Sequence, residues 1–152
     1  MPQQPPDMLV NENPAVDFGP LRLYAIVQGQ RPARPRWNNQ YPFKHRPQPS
    51  NAAVCPKLWR GYLAYYRLTE EGRLMLERYE YPFDQTQPAD EVNERLEGDF
   101  WLLMKESFYG NCTFVPFVNG QIQTERQLWQ QAPNDLGVEK PRKLRPRRPR
   151  VF

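Results

Sequence analysis

The placement of proline decides most of what this chain can fold into. Of 18 prolines in 152 residues, five lie in the first 20, five between Pro32 and Pro49, and four from Pro133 onward. Each lacks the amide N–H that a helix interior or a central strand needs. Regular structure is thereby pushed into the middle of the chain, where aromatic and aliphatic residues concentrate. The organisation that follows is a Pro-rich N-terminal segment over residues 1–19, one β-rich domain over 20–130, and a basic Pro-rich tail over 131–152. The ends are expected to be extended or disordered. A structureless loop at 31–50 is expected to interrupt the domain, an unusual length inside a compact core.

Within the domain, Leu58 to Tyr81 (LWRGYLAYYRLTEEGRLMLERYEY) reads as a long β-hairpin hinged at Glu70-Glu71-Gly72. Gly72 supplies the positive φ of a short loop at no steric cost. On the first arm Leu58, Tyr62, Ala64, Tyr66 and Leu68 alternate with Trp59, Gly61, Leu63 and Tyr65. On the second, Leu74 and Leu76 take one face and Met75, Tyr79 and Tyr81 the other. An interior glycine such as Gly61 marks a bulge or a close backbone approach. Further strands are expected at Leu21–Val27, at Phe100–Lys105 (where a helix is the alternative), and on either side of Asn119-Gly120. That dipeptide is the strongest short-range hairpin signal. Pro116 sets its strand at an edge or a bulge, and Glu91–Leu96 reads equally as a helical turn or an edge strand. The fold class is mainly β, with α+β as the alternative: a single antiparallel sheet or small barrel-like meander of five to six strands.

Charge is divided along the chain. Residues 139–152 hold seven cations and one acid, and residues 31–46 hold five cations and no acid, which leaves nine cations against sixteen acids elsewhere. The net of +4 therefore describes an acidic body with two basic extensions. Cys55 and Cys112 read as reduced thiols, and no apolar run reaches the ~18 residues of a membrane span. The first residues carry neither a basic n-region nor an apolar h-region, so a cytoplasmic location without a secretory signal is expected.

Catalytic chemistry is thinly provided. His45, the single histidine, sits between Lys44 and Arg46 and reads as a solvated polar residue. Cys112 follows Gly110-Asn111 with no histidine fixed beside it, and Glu70 and Glu71 adjoin at a turn. No nucleotide-loop, dinucleotide or metal-ligand spacing occurs, so no catalytic residue, metal or cofactor is assigned. A small hydrolase or transferase is the most distant reading.

Binding is better provided for. Trp59, Tyr62, Tyr65, Tyr66, Tyr79 and Tyr81 crowd one hairpin, more aromatic surface than a small core easily buries with every hydroxyl satisfied. A protein partner, including a second copy of the chain, is the leading expectation. The alternative is single-stranded RNA or DNA. Arg31, Arg34, Arg36, Lys44 and Arg46 would hold phosphates, Trp37, Tyr41 and Phe43 would stack on bases, and Arg145, Arg147, Arg148 and Arg150 would add charge. The run from Cys55 to Tyr65, with Trp59-Arg60-Gly61-Tyr62-x-Ala64, followed by Gly72-x-Leu74-x-Leu76, resembles a hairpin of uncharacterised bacterial β-rich proteins. That resemblance implies a bacterial β-rich protein and carries no activity or site residue with it.

Overall fold

The computed structural model describes residues 5–29, 40–107 and 110–132. Among these residues nine strands form two sheets: β1 Met8–Asn11, β2 Arg22–Gln28, β3 Leu63–Leu68, β4 Leu74–Glu80, β5 Asp90–Arg95, β6 Phe100–Lys105, β7 Cys112–Val118, β8 Gln121–Ile122 and β9 Gln130–Ala132. The first sheet runs β1-β3-β4-β5. The second runs β2-β6-β7-β8, with β9 also pairing β7. Every pairing is antiparallel except β1 with β3, which is parallel. The mainly β reading holds, but the strands divide into two facing sheets and close no barrel.

The chain needs two layers because its hairpin has one strongly apolar face. Ala64, Tyr66 and Leu68 of β3 and Leu74, Leu76 and Tyr79 of β4 pack against Leu23 and Ile26 of β2, Phe100, Leu102 and Met104 of β6, and Val115 and Phe117 of β7. β6 is buried at every residue. Its opposite face joins Trp101 and Leu103 to Val27, Cys112, Phe114 and Ala132 in a second buried cluster. Both β6 and β7 therefore read as continuous apolar runs in place of alternation.

Three expectations change. Met8–Asn11 lies in the Pro-rich N-terminal segment yet forms a strand, because Met8, Leu9 and Val10 fall between Pro6 and Pro14 and find β3 as a template. The hairpin's first arm begins at Leu63, since Cys55–Gly61 turns twice before it. Gly61 is a close-approach glycine: at φ +79, an added Cβ would lie 2.8 Å from both Pro49 and Val54. On the second arm, Glu77 is an extra residue. Tyr65 pairs with Arg78 while Tyr66 pairs with Leu76. This bulge reverses the side-chain alternation, so Tyr79 and Tyr81 face inward with Leu74 and Leu76, not outward with Met75.

Two corners pin the sheets together. At one, the Asn119-Gly120 turn, with φ of +53 and +75, fits the expected I′ geometry. It meets the turn at Gly72: Arg73 donates to the Asn119 carbonyl at 2.6 Å, and Ile122 N–H donates to the Gly72 carbonyl at 2.9 Å. At the other, Asp7 bridges to Leu23. Pro116 sits in the gap between β8 and β9 on β7's outer edge. Its carbonyl accepts from Gln123 N–H there, so its missing N–H also faces that edge and removes no bond to β6.

Candidate functional site

The structure separates the six hairpin aromatics. Tyr66, Tyr79 and Tyr81 are buried in the core. The Tyr79 hydroxyl donates to the His45 carbonyl at 2.7 Å. The Tyr81 hydroxyl donates to Asp90 at 2.8 Å and accepts from Gln48 N–H at 3.1 Å. Tyr62 is half-buried, edge-on to Tyr79 at 5.4 Å, with the Arg60 guanidinium 4.5 Å from its ring centroid. Trp59 is half-buried in the turn before β3. Tyr65 alone of the six projects from the outer face of the first sheet, with Arg78 stacked 4.0 Å from its centroid.

Burial holds the buried phenols in their neutral form. It is the leading cause of the raised pKa of Tyr62, Tyr66, Tyr79 and Tyr81, with Arg60 partly offsetting it at Tyr62. An unfolded chain ionises these phenols at the ordinary value of about 10. Their contribution to stability is therefore complete below that pH and is lost as pH rises toward the folded values. An alkaline titration should show these four phenols remaining un-ionised through pH ~10 and then ionising together with loss of β-sheet circular dichroism. Eight tyrosines that all titrate near the ordinary value while the sheet signal persists would contradict their burial.

The nucleic-acid candidates divide as well. Arg31, Arg34, Arg36 and Trp37, with Arg145, Arg147, Arg148 and Arg150, lie outside the described residues. Lys44 and Arg46 are exposed. Tyr41 and Phe43 turn back onto the core: Tyr41 meets Phe100 edge-on at 5.3 Å and Phe43 lies 6.5 Å from Tyr66. The Tyr41 hydroxyl donates to the Glu97 carbonyl at 3.0 Å and accepts from Glu97 N–H at 2.8 Å. The later half of the expected loop, residues 40–50, is thus tied to the sandwich, and stacking a base on either ring requires unpacking it. The exposed His45 packs over Tyr79, while the buried Cys112 lies in the second cluster. Among the described residues no group of three or more His, Cys, Asp or Glu is placed to hold a metal ion, and no helix is long and apolar enough to cross a membrane.

Two features of the first sheet stand out. The first is its outer face. β1 puts Met8 and Val10 there, 46% and 55% exposed, beside Tyr65 and Arg67 of β3. Arg67 binds Glu77 at 2.7 Å and Glu12 at 3.3 Å, and Arg78 binds Glu80 at 2.7 Å. An apolar strip of Met8, Val10, Leu63 and Tyr65 is thus bordered by paired charges. The second is a cleft of about 530 Å³ between β1 and the returning chain at Asp17–Leu23, floored by Leu9, Phe18, Leu21 and Met104. No family model, curated protein or solved structure matches this chain. The hairpin resemblance therefore gains no support, and the function has to be argued from these two surfaces.

Sequence reasoning missed both because it missed β1. The signal was present in Met8-Leu9-Val10, three apolar residues in a polar, Pro-rich context. Asp7, which holds β1 in place, offered none.

Proposed function

We propose that this chain is a non-enzymatic protein-binding module that docks its partner on the outer face of the first sheet, around Met8, Val10, Leu63 and Tyr65. The observation that carries this reading is the exposure of Met8 and Val10 on an edge strand beside Tyr65. Edge strands are normally guarded by charge. The opposite edge of the same sheet, β5, follows that rule with Asp90, Glu91, Glu94 and Arg95. β1 has no charged side chain of its own. An apolar, aromatic centre rimmed by ion pairs is the composition of a protein interface.

A photoreactive residue substituted for Val10 in cells that make the protein should crosslink to a discrete partner, and one substituted for the exposed Val54 should not. The Val10→Asp, Tyr65→Glu double variant should weaken that partner about thirtyfold, the equivalent of the ~2 kcal/mol of a central interface aromatic. Unchanged affinity in a normally folded double variant overturns the reading. Single-stranded RNA or DNA, recruited through Lys44, Arg46 and the cations outside the described residues, is the rival. It would be marked by affinity that falls steeply with salt.

A further inference from the structure

We propose that the cleft beside β1 takes an extended segment of the partner as an added strand, an inference that rests on the protein-binding reading and makes it more specific. In the parallel β1–β3 ladder the Glu12 N–H donates to the Leu68 carbonyl. The even-numbered residues of β1 thus face β3, and the backbone N–H and C=O of Leu9 and Asn11 point the other way, into the cleft. Asp7 and Leu23 form an antiparallel bridge at its base. The next pair in that register, Leu9 with Leu21, does not form, and Leu21 N–H bonds the Phe18 carbonyl instead.

The course of the returning chain is fixed by contacts other than a backbone ladder with β1. Asn11 donates to the Val16 carbonyl at 2.8 Å, Asn13 donates to the Glu70 carbonyl at 3.1 Å, and Phe18 stacks on Trp129 at 5.9 Å. The returning chain is held by the Asn11 side chain, the β3–β4 turn and Trp129, and forms no backbone ladder with Leu9. An unpaired strand edge beside a preformed apolar floor is the arrangement used for strand addition, in which main-chain bonds give affinity and alternate side chains give specificity. Asp17 and Arg22 both line the cleft. The segment it fits is a short β-branched one carrying a cation for Asp17, an anion for Arg22, and apolar side chains at alternate positions.

The probe is a synthetic peptide of alternating valine and threonine flanked by one lysine and one glutamate, offered in both orientations, with a proline-interrupted version as control. In the unmodified chain, the amides of Leu9 and Asn11 should exchange freely without peptide and slow at least fivefold with one orientation, and the control should leave them unchanged. Absence of protection with both orientations overturns the proposal. The partner captured by crosslinking supplies the second arm. Leu9→Pro removes an N–H that faces the cleft and no N–H of the β3 ladder, and it should reduce partner affinity at least tenfold. If a folded Leu9→Pro variant binds normally while Val10→Asp, Tyr65→Glu does not, the face reading stands and strand addition falls. If neither variant loses the partner, both fall.

Discussion

Replacing Asp7 with alanine is expected to remove about 3 kcal/mol of stability, the low end of what breaking a buried ion pair costs. The Asp7 side chain is 4% exposed and accepts from both terminal nitrogens of Arg60. One of its oxygens also accepts from Ala64 N–H at 3.0 Å, and its own backbone N–H donates to Leu23 at 2.9 Å. One residue therefore joins β1 to β3 through its side chain and to β2 through its backbone. Truncation leaves Arg60 and the Ala64 amide without their acceptor, and an unsatisfied buried donor costs more than its bond contributed. Arg60 is 28% exposed and can turn partly to water, which places the figure at the low end. The measurement is urea unfolding followed by circular dichroism, with Asp7→Asn as a comparison. Asparagine keeps an acceptor for Ala64 but loses the charge, so it should fall between alanine and the native chain. Because β1 builds both candidate surfaces, Asp7→Ala should also speed hydrogen exchange at the ladder amides of Met8 and Val10. A loss below about 1 kcal/mol would mean that β1 is not held by this pair.

What could be read in the sequence follows the range of the interactions involved. The turns at Gly72 and Asn119-Gly120 were legible because each is set by residues adjacent in the chain. Phe100–Lys105 was legible as a strand from its apolar run and flanking glycines. Its burial on both faces was not, because that depends on which elements lie over it. The bulge at Glu77 was invisible: the leucine alternation of β4 continues through Leu76 without any local sign that one residue would be looped out. That one residue decides whether Tyr79 and Tyr81 are surface or core, which is why the tyrosine count alone overstated the exposed aromatic face. The parallel pairing of β1 with β3 joins residues more than fifty positions apart and rests on Asp7 meeting Arg60. No periodicity in MLVN encodes that meeting. The open cleft is a further step removed, since it depends on Asn13 and Phe18 binding distant partners in preference to β1.

Phe100→Ala should be among the most costly apolar truncations of the described residues, at about 3–5 kcal/mol, the range for a phenylalanine removed from a packed core. Phe100 opens β6, is fully buried, and stacks on Phe117 at 4.6 Å with 17° between the rings. Its other neighbour is Tyr41, which leads the irregular segment back onto the sandwich and bonds Ile26 through its backbone and Glu97 through its hydroxyl. The ring thus supports both the sheet–sheet core and the return of residues 40–50. Without it, Tyr41 either drops into the cavity, which recovers part of the loss, or leaves it and frees the segment. The two responses have different signatures. Collapse keeps the Glu97 amide protected from exchange and brings the cost toward 3 kcal/mol, whereas release exposes that amide and brings it toward 5. Burial raises the Tyr41 phenol above its ordinary value, so release would also return its ionisation toward pH ~10. We expect the Glu97 amide to stay protected and the cost to fall toward about 3 kcal/mol, because Tyr41 is anchored by bonds to backbone at both Ile26 and Glu97 and release would break them. Phe100→Leu keeps most of the volume and should cost less than about 1.5 kcal/mol. An alanine variant no more damaging than the leucine one would show that the ring is not the support of this corner.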